Sequence, residues 1–190
     1  MNRVIIIGGS DVGISTALRI CELTKKIKPL VITDNCYPNF SICGIPFYLG
    51  GEVNHWQDLA HRTEEDILNR GIELLLDTRV QEILPEEKKI VLQDRQLCYD
   101  QLVLGTGAQT AIPPVEGLNR PGVFTMRWIE DCRKFDKYLK EQNPDSVVII
   151  GGGYVGLEMS EALVRRGLKV TLYELNKYEE RYNNGKRKFL

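Results

Sequence analysis

The apolar positions fall into short runs separated by amphipathic stretches, and two parts of the chain share one plan. Residues 3–8 (RVIIIG) form a β-branched run that ends in glycine. A glycine-rich turn follows, and then apolar positions at Ile14, Ala17, Leu18 and Cys21, the spacing of one helical face. A second apolar run, Pro29 to Thr33, closes on Asp34. Residues 146–151 (SVVIIG) repeat the plan: a glycine turn, a helix through Leu157, Ala162, Leu163 and Val164, and a run from Lys169 to Tyr173 that closes on Glu174. Continuous apolar strands joined by helices mark parallel β-α-β units.

Between the two units the pattern predicts a helix over about 56–70 and a strand over 72–76. Alternating stretches at 79–84, 89–93 and 96–99 read as an antiparallel meander, and Gln101 to Gly105 as another buried strand. Pro113, Pro114, Gly117, Pro121 and Gly122 make 110–122 the best linker candidate, and a helix follows over about 128–142. The expected fold class is α/β, with residues 3–8, 30–34, 72–76 and 101–105 in one parallel sheet. The turn from Gly8 to Gly13 should lie at the carboxyl edge of that sheet. We place a first domain at 1–110, a connector at 111–145 and a second domain at 146–190. A unit of two strands and one helix cannot cover both faces of its sheet, and the tail from Asn176 has no sustained periodicity. The second domain is therefore expected to be truncated.

Composition narrows the classes. Hydrophobic residues are 43% and charged residues 27%, which is ordinary for a globular protein. The net charge of −1 gives no electrostatic footprint for nucleic acid or an acidic membrane surface. The longest aliphatic runs, Val4 to Ile7 and Val147 to Ile150, are too short to span a bilayer. Five scattered cysteines and no apolar leader point to free thiols in the reducing cytoplasm. No cluster has metal-ligand spacing, and His55 and His61 lie in a polar stretch typical of surface histidines.

The glycine turns carry the first chemistry. Gly151-x-Gly153-x-x-Gly156 follows a strand and opens a helix, with Glu174 eighteen residues beyond the last glycine. This is the dinucleotide fingerprint in context: a tight turn, close backbone approach to a pyrophosphate, close helix packing, and a helix N-terminus facing the anion. Glu174 can accept both ribose hydroxyls and would repel a 2′-phosphate, so NADH is favoured over NADPH. In the first turn, Gly8, Gly9, Ser10 and Gly13 follow the same plan with Ser10 in the middle position, and Asp34 lies twenty-one residues on. Two Rossmann-like units suggest two dinucleotides, FAD and NAD(P)H being the usual pair. A single-cofactor protein with a chance likeness in the first turn is the alternative. Thr106, Gly107 and Ala108 end a buried strand and would suit close approach to a cofactor, though a plain turn would look the same.

Cys43 lies nine residues after Asp34, in NFSICGIPFYLGG, ahead of a segment long enough for two helical turns. At the N-terminus of such a helix its thiolate would be favoured. Spacing alone favours a small buried cysteine instead, since no second cysteine stands at redox-pair spacing.

The motifs VIIIGGSDVGIS, PNFSICGIPFYLGG, LVLGTGA and VVIIGGGYVGLEMSEAL occur in order over about residues 1–175. With them the chain resembles the FAD-dependent pyridine nucleotide–disulfide oxidoreductases. It looks most like the single-cysteine branch of coenzyme A disulfide reductases, NADH oxidases, NADH peroxidases and persulfide reductases. The resemblance implies FAD on the first unit, with Asp34 at its ribose and Thr106 to Ala108 near it, and NAD(P)H on the second. It implies Cys43 against the flavin as the redox thiol, Tyr154 as a flavin shield and Glu158 near the nicotinamide. The implied reaction passes a hydride from NADH through FAD to Cys43, which reduces a small disulfide or persulfide. Relatives that reduce oxygen or peroxide tend to carry a histidine in the first turn, where this chain has Asp11. Coenzyme A-specific members carry basic residues along the first helix, where this chain has Arg19 but Glu22. Intact relatives are expected to be homodimers whose partner subunit helps build the site. The alternative is a truncated, non-catalytic nucleotide-binding fragment, or NADH oxidase or peroxidase activity in the intact relative; weak flavin retention and negligible turnover are expected of residues 1–190 by themselves.

Overall fold

The computed structural model describes residues 3–174. Four strands, β1 (Val4–Ile7), β2 (Leu30–Ile32), β3 (Glu73–Leu75) and β7 (Gln101–Leu104), form one parallel sheet in the order β3-β2-β1-β7. The register sets Ile7 beside both Ile32 and Leu104, so three strands end together. The expected parallel sheet is therefore formed, with each strand slightly shorter than its apolar run.

Both faces of this sheet are covered. Helix α1 (Asp11–Leu23) lays Ile14, Ala17 and Cys21 on Val4, Ile6 and Val31, the even face of β1. Short α3 (Glu64–Asn69) adds Ile67 to the same layer. On the other face, Ile5, Leu30 and Ile32 pack against an antiparallel meander, β4 (Glu82–Leu84), β5 (Lys89–Val91) and β6 (Gln96–Cys98), through Ile90 and Leu92. Strands buried on both sides must be apolar throughout, which is why residues 4–7 do not alternate.

The helix expected over 56–70 is interrupted. Trp56–Leu59 is a single 3-10 turn, and α3 starts only at Glu64. Thr63 explains the restart: its hydroxyl accepts from the Asp66 N–H, and the Asp66 carboxylate accepts from the Thr63 N–H, a reciprocal cap. Ala60, between the two, is extended and bridges Phe40.

Helix α4 (Ile129–Gln142) runs from the Pro- and Gly-rich stretch to a smaller sheet of β8 (Ser146–Ile150) and β9 (Lys169–Tyr173), parallel and joined by α5 (Tyr154–Arg165). Val147 and Ile149 of β8 face α5, where Met159 and Leu163 join α2 (Ile45–Leu49) and α4 in a third apolar cluster. The opposite face of this sheet carries Val148, Ile150 and Tyr173 at 59%, 56% and 62% exposure, so among the described residues nothing covers it. The tail from residue 176 lies outside the described residues.

Candidate redox site

The two glycine turns are built alike. Gly8 and Gly151 sit at φ 118° and 112°, which side chains avoid, and each turns its strand back into a helix. A Cβ on Gly13 would overlap the Gly8 carbonyl oxygen, and one on Gly156 would overlap that of Gly151. The helices therefore start hard against their strands. Ser10 and Gly153 occupy the same position in the two turns: each is the extended residue before its helix, and neither caps it with a side chain. Ser10 thus stands where the second turn has its middle glycine. A Cβ at Gly153 would meet nothing within 4 Å, so a ligand has room to approach that backbone. Both N-termini lack a side-chain cap and the second has open space before it, and both turns fit a dinucleotide on the ground of these helix ends.

The strand ends converge on the first turn. Gly8 N–H donates to Ile32 O at 2.8 Å, and Gly105 N–H donates to Ile7 O at 2.8 Å. Asp34 follows two residues after β2, exposed, with Arg79 Nη1 3.9 Å from its carboxylate. Thr106, Gly107 and Ala108 leave β7 exposed, and the Thr106 carbonyl accepts from Arg127 at 3.3 Å. In the second turn Gly152 N–H donates to the Glu174 carboxylate at 2.6 Å. The acid that follows β9 therefore fixes the glycine loop. Tyr154 is 79% exposed at the start of α5, and Glu158 is exposed one turn later.

Cys43 lies in a 3-10 turn, Ile42–Gly44, that leads directly into α2. The helical stretch expected after it is present as these two short pieces, and α2 itself is only Ile45–Leu49. Cys43 is exposed, whereas Cys21 and Cys132 are buried and Cys36 is half-buried. Cys43 is thus not the small buried cysteine that spacing alone favoured. Burial pushes the Cys132 thiol up to about 12, with Asp136 adding to the effect. Burial also raises Cys21, and burial together with the Glu130 carboxylate raises Cys36.

Three features were not singled out in the sequence. Asn39 joins the Cys43 segment to the first turn, with its N–H donating to Gly9 O at 2.7 Å and its Nδ2 to Asp11 Oδ1 at 3.0 Å. The dipeptide Pro38-Asn39 was a readable turn signal, but nothing in it named the partners. Glu130 of α4 accepts from Asn35 at 3.0 Å and from the Cys36 thiol at 3.4 Å, clasping the turn after β2. Asp136, 6% exposed, accepts from Tyr48 of α2 (2.8 Å), Arg166 after α5 (2.8 Å) and Lys140 (2.7 Å). These groups line a cleft of about 340 Å³ beside Gly50 and Gly51. Burial alone would raise the Asp136 carboxyl, but the three hydrogen bonds outweigh it and hold it below the usual carboxylate range.

With this geometry, the chain belongs to the pyridine nucleotide-disulphide oxidoreductase family, whose pattern matches residues 2–183. That family is one of FAD-dependent NAD(P)H oxidoreductases. The chain is 37% identical over 179 residues to an NADH oxidase of Methanocaldococcus jannaschii, a match that covers 91% of this chain and 40% of that one. Its fold superposes on reduced Bacillus anthracis CoADR-RHD with a TM-score of 0.88 and 31% identity, covering 91% of this chain and 32% of that one. It also superposes on the NAD-dependent persulfide reductase of A. fulgidus, with a TM-score of 0.84, 35% identity and coverage of 90% and 33%. The chain thus spans well under half the length of each. Among the described residues no helix is long and apolar enough to cross a membrane.

Proposed function

We propose that this chain carries the nucleotide-binding and thiol-bearing part of an NADH-dependent flavoprotein that reduces a small disulfide or persulfide at Cys43. FAD would occupy the first unit, residues 1–110, and NADH the second, from residue 146. The observation that carries the reading is the joint between Asn39 and the first turn, which ties the exposed Cys43 segment to a dinucleotide-shaped site. The turn of Gly8, Gly9, Ser10 and Gly13 would receive the flavin pyrophosphate at the start of α1, with Asp34 taking the ribose and Thr106 to Ala108 lying near the cofactor. Gly151, Gly153 and Gly156 would do the same for NADH, with Glu174 accepting from its ribose hydroxyls. Tyr154 would cover the flavin, and Glu158 would stand near the nicotinamide.

Bound there, the flavin would supply a two-electron relay between NADH and sulfur. The chemistry left to the chain is sulfur exchange. The Cys43 thiolate attacks one sulfur of the substrate, a mixed disulfide forms, and the other sulfur leaves as a thiolate that takes a proton from water. With both cofactors bound, two electrons and a proton, together the hydride of NADH, would release the second thiol and return Cys43 as the thiolate. The test is anaerobic: Cys43→Ser should keep flavin binding and lose disulfide-dependent NADH consumption. Consumption unchanged in that variant overturns the assignment.

A second reading, reduction of oxygen, is favoured by the 37% identity to an enzyme named NADH oxidase. An oxygen electrode separates the two readings, since NADH consumption that needs oxygen and no disulfide supports the second.

A further inference from the structure

Asp11 is the first residue of α1, so its carboxylate stands at the helix end where a pyrophosphate would approach. A free carboxylate there would repel that anion. It is not free. Asn39 Nδ2 donates to Asp11 Oδ1 at 3.0 Å, and His61 Nε2 lies 3.9 Å from the same oxygen. Asn39 is 2% exposed and every polar group it has is engaged. Its N–H donates to Gly9 O at 2.7 Å, its carbonyl accepts from His61 N–H at 3.0 Å, and its Oδ1 accepts from Arg62 at 3.2 Å. Its φ of 56° is the left-handed region that asparagine tolerates better than most residues. One buried residue therefore touches the glycine turn through its backbone N–H, and the acid beside that turn and Arg62 through its side chain, and Cys43 follows four residues on.

We propose that Asn39 is a positioning residue for the flavin pyrophosphate: it pins Gly9 and turns the Asp11 carboxylate aside, keeping the first turn open to an anion. The inference rests on the reading of that turn as the flavin site. Asn39→Asp sets two carboxylates face to face and removes the donor. It should weaken FAD binding, followed by quenching of flavin fluorescence, by about tenfold, the worth of one such hydrogen bond. The amide protons of residue 39 and His61 should exchange about tenfold faster in the FAD-free chain. Asn39→Asp combined with Asp11→Asn exchanges donor and acceptor, and both readouts should return to within about twofold of the unaltered chain.

The exchange remakes the hydrogen bond from the other side, so recovery of FAD affinity ties flavin binding to that bond. If Asn39→Asp proves unfolded by circular dichroism, Asn39→Gly serves, because glycine keeps the left-handed backbone and removes only the side chain. Equal FAD affinity in the unaltered chain and either variant, or failure of the double variant to recover, overturns the role of Asn39. No FAD uptake by the unaltered chain overturns the flavin reading instead, and exchange in the FAD-free chain then judges the anchor alone. Unchanged exchange at residue 39 and His61 overturns the anchor too.

Discussion

Thiol accessibility and charge decide most of the chemistry at the level of single residues. Cys43 is exposed in the segment that Asn39 joins to the first glycine turn, while burial raises the thiols of Cys21 and Cys132 and slows both. Cys43 should therefore label first with a thiol reagent, Cys36 later, and Cys21 and Cys132 only on unfolding, as peptide mass spectrometry would read. Cys98, also exposed on β6, is the internal control. Labelling of Cys98 ahead of Cys43 in FAD-loaded protein would sink the redox assignment. Glu174 makes a second prediction. Its carboxylate holds the Gly152 N–H, so Glu174→Ala loosens the glycine loop and removes the repulsion of a 2′-phosphate. The preference for NADH over NADPH should shrink by about tenfold in dissociation constants, and NADH itself should bind less tightly. A variant with an unchanged ratio would remove Glu174 from cofactor choice.

Elements in this chain are short, and their ends matter more than their middles. Amphipathic spacing over 56–70 reads as one helix, yet Thr63 caps a new start and Ala60 is drawn into a bridge with Phe40. Local hydrogen bonds of Thr63 and Asp66 outcompete continuation of the preceding turn. Thr63→Ala should cost about 1 kcal/mol in urea unfolding, the usual worth of such a cap. A loss near zero would mean that Ile67 in the core, not the cap, sets where α3 begins. The two glycine turns illustrate the reverse case, in which spacing alone sufficed. Strand, turn and helix are contiguous there, so Gly8 to Gly13 and Gly151 to Gly156 fold into one geometry whatever surrounds them.

Across the whole molecule, α4 is the joint. Glu130 at its start holds the turn after β2, and Asp136 at its middle ties Tyr48 of α2 to Arg166 beyond α5. Asp136 is buried, so losing its charge leaves the half-buried Arg166 cation uncompensated. Asp136→Asn should cost about 3 kcal/mol, the usual penalty for breaking a buried pair from one side. The pH dependence has a definite sign. The folded carboxyl lies below its usual value, so its contribution is present above about pH 4 and is lost as pH falls through the lowered value. Tyr48 gives the opposite limb: burial, with Asp136 adding to it, raises its phenol from 10.0 to about 12. That contribution is present below pH 10 and is lost as pH rises toward 12. Tyr48→Phe should flatten the alkaline limb of stability against pH and leave the acid limb largely in place. An alkaline limb unchanged in that variant would locate it elsewhere.

The sequence alone determined whatever depends on neighbours in the chain. The parallel strands were legible because burial on both faces demands unbroken apolar runs, and the nucleotide turns because glycine at fixed spacing has a steric cause. The exposure of Cys43 was not legible, since its spacing pointed to a buried thiol and the motif around it implied only a redox role. Tertiary structure decided the rest. Asn39 meets Asp11 across 28 residues, Glu130 meets Asn35 across 95, and Asp136 meets Tyr48 across 88. No local periodicity encodes such pairs, because a hydrogen bond between distant elements depends on how helices and strands pack. Packing also decided which apolar positions are covered. Val147 and Val148 are the same residue type side by side in β8, yet one lies under α5 and its neighbour faces outward on the open side of the sheet.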